Sequence, residues 1–330
     1  MKNKFMFLGL GIFSLVVTGC KEGASFYTNS LSSQVFIQPK TATQYDFLWV
    51  MDNSGSMKPR RDYVRDNLNT FLQTLNSRKA IDYQMAVVTT DAFKDQGALV
   101  KTASGLEVVK SSRTASPAAD FGEIINAISD SNTSFWEQGL ENSYQAIFKN
   151  ASKFTRSGVT LIMVYLTDEN DFSCKGNCWG SEPENNLNWQ GYEAERYIDF
   201  FKQIKKAEGA EIVMFPITGL DQARCPVPSL GDRYVQVAKA LDSFGVPGSI
   251  CDIDLAESYN NIARIIADRG NIFPLERKAT GKNIKVYVDG VYVDSVAANY
   301  SFDPALNAVV FNGKLPKAGS VVEVLFEEAQ

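Results

Sequence analysis

The sequence predicts an α/β fold, a doubly wound and mostly parallel sheet flanked by helices, followed by a small C-terminal all-β domain. Three observations predict it. Apolar runs of β-type residues alternate with stretches of helical period from residue 45 to residue 267, the pattern that builds parallel sheets from strand–helix–strand units. One run, Val159-Thr160-Leu161-Ile162-Met163-Val164-Tyr165-Leu166, is apolar on both alternations, as a central strand covered on two faces must be. After residue 275 the helical period stops and short strands separated by turns take over.

In chain order, Tyr45 to Met51 reads as the first core strand. A helix follows from Met57 to about Arg78, with Val64, Leu68, Phe71 and Leu75 on one face and Pro59 in the tolerant first turn. Tyr83 to Asp91 is the second strand, and residues 98–109 make a third through a hairpin. Helices are marked by Phe121, Ile124, Ile125 and Ile128, and then by Leu140, Tyr144, Ile147 and Phe148. The strand 159–166 precedes a helix marked by Tyr197, Phe200, Phe201 and Ile204. Glu211 to Ile217 is a strand, Tyr234 to Phe244 a helix, Gly248 to Asp252 a short strand, and Leu255 to Ala267 the closing helix. In the tail, Ile284 to Val293 contains an Asp289-Gly290 hairpin turn. Tyr300-Ser301-Phe302, Asn307 to Phe311 and Val321 to Phe326 complete a sandwich- or barrel-like module without candidate chemistry. The expected boundaries are 1–20 for a signal peptide, 21–40 for a tether and lead-in, 41–275 for the α/β domain and 276–330 for the β domain.

Composition narrows the function. The sequence has no histidine, which removes imidazole bases, His-based triads and histidine zinc ligands. Net charge is −5 without basic blocks, which argues against nucleic acid as a partner. Lys2 and Lys4 precede an apolar core from Phe5 to Val17, too short to span a bilayer and typical of an export signal. Its ending, Val17-Thr18-Gly19-Cys20, resembles a bacterial lipoprotein signal. That resemblance implies cleavage before Cys20, acyl chains on Cys20 and a membrane anchor; the alternative is an ordinary secretory signal. Lys21 resembles outer-membrane sorting in Gram-negative bacteria. Cys174, Cys178, Cys225 and Cys251 remain, an even count that reads as two disulfides in an oxidising compartment. Nearness in sequence favours Cys174–Cys178 and Cys225–Cys251 over the other pairings, and no Cys-x-x-Cys knuckle supports a zinc site.

The candidate chemistry lies where the first strand stops. Asp52 is followed by Ser54 and Ser56 with Gly55 between them. One carboxylate and two hydroxyls on a tight turn are hard oxygen donors suited to Mg²⁺, Mn²⁺ or Ca²⁺. This Asp-x-Ser-x-Ser spacing resembles the metal-ion-dependent adhesion site of von Willebrand factor type A domains. Thr167-Asp168 at the end of strand 159–166 is similar to the second element of that site, and the resemblance assigns Asp168 to a metal-bound water. A third hydroxyl is implied from the intervening loop. Counting back from Gly139-Leu140 gives Ser134, and residue identity gives Thr133.

The resemblance implies a divalent cation, Mg²⁺ first, with one position left for a carboxylate from a protein ligand. Glu169 and Asp171 either act behind the ligands or are solvated loop acids. The insertion from Asp171 to Trp189 offers Trp179 and Trp189, with Glu169, as recognition groups, or as groups that pack the loop onto its own domain. The expected function is a membrane-anchored, cation-dependent adhesin or surface-recognition lipoprotein; the alternative is a periplasm-facing assembly or scaffolding factor that uses the same site. A metal-dependent hydrolase rests on the acids alone, so no enzymatic activity is expected.

Overall fold

The computed structural model describes residues 31–39, 44–77, 80–130, 136–175, 191–206, 210–242, 244–251, 255–298, 300–313 and 315–329. The expected signal peptide, Cys20 and most of the 21–40 stretch lie outside the described residues.

The α/β part is built on a six-stranded sheet. Its strands are β2 (Gln44–Met51), β3 (Asp82–Thr89), β4 (Val108–Lys110), β5 (Thr160–Leu166), β6 (Ile212–Thr218) and β7 (Gly248–Ser249), in the order β4-β3-β2-β5-β6-β7. All neighbours pair in parallel except β4, which runs antiparallel to β3 at the edge. The central strands are buried on both faces because their side chains alternate between two cores. Phe47, Trp49 and Met51 enter one core with α1 (Lys58–Leu75), α2 (Pro117–Asn126) and α6 (Leu255–Ala267). Leu48 and Val50 enter the other with α3 (Gly139–Phe154), α4 (Ala194–Lys206) and α5 (Asp232–Leu241). In the first core Trp49 meets Phe71 and Phe121 with ring centroids 5.7 Å apart.

Two local readings change. The strand expected over 98–109 is reduced to Val108–Lys110. Gly105 takes a φ of +94° and the Leu106 N–H donates to the Thr102 hydroxyl at 3.0 Å, so a turn occupies the apolar alternation there. Helix α1 stops at Leu75 rather than near Arg78. Asn76 ends it by donating to the Leu72 carbonyl at 2.8 Å and accepting the Ile81 N–H at 2.9 Å.

The C-terminal residues form two antiparallel sheets that borrow strands from elsewhere. One has the order β1-β13-β9-β10, with β1 (Ser32–Ile37), β9 (Lys285–Val288), β10 (Val291–Val293) and β13 (Val321–Phe326). The other has the order β11-β12-β8, with β8 (Ile272–Pro274), β11 (Tyr300–Asp303) and β12 (Ala308–Phe311). The expected Asp-Gly turn joins β9 to β10, with φ of +50° at Asp289 and +78° at Gly290. The lead-in thus supplies an edge strand, pairing Ser32 with Phe326 and Ile37 with Val321. Phe36 on β1 packs at 5.5 Å from Phe244 and 5.3 Å from Phe273.

Cys225 and Cys251 form the expected disulfide, with Cα atoms 5.5 Å apart across 26 residues. A loop of that length loses enough unfolded-state entropy to contribute roughly 3 to 4 kcal/mol. Cys174 is also disulfide-bonded, and its expected partner Cys178 lies outside the described residues.

Candidate functional site

A doubly wound sheet gathers ligand groups beyond the C-terminal ends of its strands, and the candidate residues collect there. Asp52 follows β2 and its N–H donates to the Leu166 carbonyl at 3.0 Å, which ties the ends of β2 and β5 together. Its buried carboxylate is held on both oxygens. The Ser54 N–H donates to Oδ1 at 2.8 Å and the Thr167 hydroxyl to Oδ2 at 2.8 Å. The chain then makes a 3₁₀ turn, Gly55–Met57, and runs directly into α1. On that turn the Ser54 and Ser56 hydroxyls lie 3.0 Å apart. Asp168 arrives from β5, and its Oδ1 is buried with no hydrogen-bond partner among the described residues. The Ser56 hydroxyl bears on the Asp168 carboxylate and the Asp168 charge on Asp52, so Asp52, Ser54, Ser56 and Asp168 are neighbours.

The electrostatics are those of crowded acids. Burial raises the Asp52 carboxyl above its ordinary value, against the hydrogen bonds from Ser54, and the Asp168 charge raises it further. Burial also raises Asp168, opposed by the Ser56 hydroxyl and by the positive charge of Arg60. Glu169 is pushed up to about 7 by burial and by the charges of Asp52 and Asp168. Glu137, raised well above its usual range by burial and Asp52, accepts a hydrogen bond from the Thr90 hydroxyl.

These shifts fix a sign. An acid whose folded pKa is raised holds its proton more tightly in the fold than in the unfolded chain, so its stabilising effect is lost as pH rises. For Glu169 the window runs from 4.5 to about 7. Cation-free protein should therefore lose thermal stability across that window, and Glu169→Gln should flatten the decline. Melting curves in EDTA at pH 5 and pH 7.5 check this; equal slopes for both proteins would reject the assignment.

Asp171, left open between a site role and a solvated loop, is a structural group. It is fully buried, and its Oδ1 accepts the Leu140 N–H at 2.9 Å and the Ser173 hydroxyl at 2.8 Å. The Ser173 hydroxyl oxygen accepts the Glu141 N–H at 3.0 Å. Asp171 and Ser173 thus cap α3 and fix where that helix begins. Thr133, Ser134, Trp179 and Trp189 lie outside the described residues.

Three contributors were not assigned from sequence. Thr167 was read only as part of its dipeptide, and it holds Asp52. Glu137 is brought in when the Gln138 N–H donates to the Thr90 carbonyl at 2.9 Å at the end of β3. Arg61 is buried beneath the motif turn; its signal is a charge at a position of α1 where the period demands an apolar residue.

No group of three acidic or thiol side chains able to hold a metal occurs among the described residues. The donor set fits a hard cation in another way. It consists of two acids and two hydroxyls, all oxygen, and includes a buried carboxylate oxygen without a partner among the described residues.

Residues 46–194 match the family model of the von Willebrand factor type A domain. No curated protein matches the sequence. Among solved structures, the pilus adhesin SpaC from Lactobacillus rhamnosus GG is 14% identical with a TM-score of 0.44, covering 88% of this chain and 39% of its own. A von Willebrand factor type A protein from Catenulispora acidiphila is 13% identical with a TM-score of 0.42, covering 91% and 65%. Proximal thread matrix protein 1 of the mussel byssus, solved with a zinc-occupied MIDAS motif, is 14% identical with a TM-score of 0.40, covering 71% and 48%. The chain thus spans less than two thirds of the length of each of these proteins.

Proposed function

We propose, from the premise that residues 46–194 form a von Willebrand factor type A domain, that this chain binds a protein partner through a divalent cation at the β2 and β5 strand ends. The observation that carries the reading is the meeting of Asp52, Ser54, Ser56 and Asp168, with a buried Asp168 oxygen that no donor among the described residues satisfies. Ser54 and Ser56 would hold the ion directly, with a hydroxyl from Thr133 or Ser134. Asp52 and Asp168 would act on it largely through water. When bound, such an ion supplies a partly neutralised positive charge that attracts a carboxylate. Mg²⁺ suits hydroxyl and water ligands in this number, with Mn²⁺ or Ca²⁺ as substitutes.

The chain's own residues do the rest. Thr167 and the Ser54 N–H hold the Asp52 carboxylate in one orientation, and the turn before α1 leaves the Ser54 and Ser56 hydroxyls at the surface. The α1 N-terminus adds a favourable partial charge for an acidic side chain. The reading has the protein exported and held by acyl chains on Cys20, at the outer membrane of a Gram-negative cell, as a binding protein and not an enzyme.

Pull-down of partners from surface extracts tests the reading. Capture in Mg²⁺ that is lost in EDTA and restored by Mg²⁺ is the expected result. Capture that persists unchanged in EDTA would overturn the cation mechanism.

A further inference from the structure

Arg61 occupies a position that the helical period reserves for the core. Arg61, Val64, Leu68, Phe71 and Leu75 are all buried along α1, and the Arg61 side chain is only 3% exposed. A buried guanidinium strongly destabilises a fold unless its donors are met. Here they are met by the motif turn itself. Nη1 donates to the Asp52 carbonyl, and to the Ser54 carbonyl at 3.1 Å. Nη2 pairs with the carboxylate of Asp130. A second tie joins the same two segments, because the Asn53 side-chain amide donates to the Ser129 carbonyl at 3.4 Å.

We infer that Arg61 and Asp130 form a positioning latch that sets the cation affinity of the site without touching the cation. The inference rests on the cation reading above. Two effects follow from the geometry. The forked guanidinium draws the Asp52 and Ser54 carbonyls toward α1, which fixes the backbone of the turn on which the Ser54 and Ser56 hydroxyls stand. Asp130 balances the arginine charge, so that a cation at the turn is not opposed by an uncompensated positive group behind it. The latch therefore ties the motif turn to the residues that follow α2, at Ser129 and Asp130. Lysine cannot replace the arginine, because one ammonium lacks the planar fork that serves two carbonyls and a carboxylate together.

Mn²⁺ titration by calorimetry, with melting curves in EDTA, tests the latch on the wild-type chain, Asp130→Asn, Arg61→Lys and the double variant. Asp130 is 46% exposed and asparagine keeps an amide oxygen that can accept from Arg61, so Asp130→Asn should fold, with only a small drop in its cation-free melting temperature. It should nevertheless weaken Mn²⁺ binding roughly 10- to 100-fold, the range for groups that orient metal ligands. Arg61→Lys should weaken binding at least as much, and the double variant no further, because the pair acts as one unit. Asp130→Asn that binds Mn²⁺ like the wild type overturns the latch and leaves the cation reading standing. A lower melting temperature at unchanged affinity makes Arg61 a structural brace only, and likewise overturns it. Wild-type protein that binds no Mn²⁺ removes the cation reading and the latch with it. If Arg61→Lys does not fold, Asp130→Asn and Asp130→Ala decide the question.

Discussion

Asp52→Ala should abolish cation-dependent partner binding and weaken Mg²⁺ by roughly 100-fold or more, beyond the range seen when only a supporting group of a metal site is lost. The effect on the fold should be much smaller. The substitution orphans the Ser54 N–H and the Thr167 hydroxyl, which now donate to the two Asp52 oxygens at 2.8 Å. Each orphaned donor costs about 1–3 kcal/mol. Against that, removing a buried carboxylate relieves the burial that raises its pKa and its repulsion with Asp168. The two effects oppose each other, so the melting temperature should move little while affinity collapses. Calorimetric titration beside a melting curve separates them. A variant that binds Mg²⁺ within a few-fold of wild type would remove Asp52 from the site.

Phe36→Ala should destabilise the protein by about 3–5 kcal/mol, the usual penalty for emptying a buried aromatic position. That is a large part of the roughly 5–15 kcal/mol by which domains are stable. Phe36 is 1% exposed and meets Phe244 and Phe273. Phe273 in turn lies 5.4 Å from Phe311 of β12. The ring thus joins the α/β layer to the appended sheets. Its neighbours on β1 provide the control, because Val35 is 49% and Ile37 58% exposed on the opposite face. Their alanine variants should change stability by no more than about 0.5 kcal/mol. Urea unfolding of the three variants tests the alternation. A Phe36→Ala change below 1 kcal/mol, on the scale of about 1 kcal/mol typical of point mutants, would make β1 a dispensable appendage.

Much of the sheet could be read locally, and the reason is physical. A strand such as Tyr45 to Met51 carries its own signature when both faces are covered, and the observed split of Phe47, Trp49 and Met51 from Leu48 and Val50 is that signature realised. Because Asp52 and Asp168 both follow such strands, a parallel sheet had to bring them to one edge. What escaped local reading depends on groups distant in sequence. Nothing near Ser33 announces a partner at Glu323, 290 residues away, although their side chains bond at 2.7 Å. Glu137 enters the acid cluster only because its loop returns to Thr90. Arg61 could have been suspected from a charge in the apolar stripe of α1, but two of its acceptors are carbonyls, which leave no trace in a sequence pattern, and the third, Asp130, lies 69 residues away.

The pairing of β1 with β13 orders events during synthesis. Ser32 to Ile37 emerge early and must wait for Val321 to Phe326 before their ladder can close. Until then the apolar residues Val35, Phe36 and Ile37 lack their partner strand, and unpaired apolar segments of this kind favour association between unfinished chains. A closure spanning nearly the whole described chain is also entropically slow. A protein built this way can complete this sheet only after its far end has arrived.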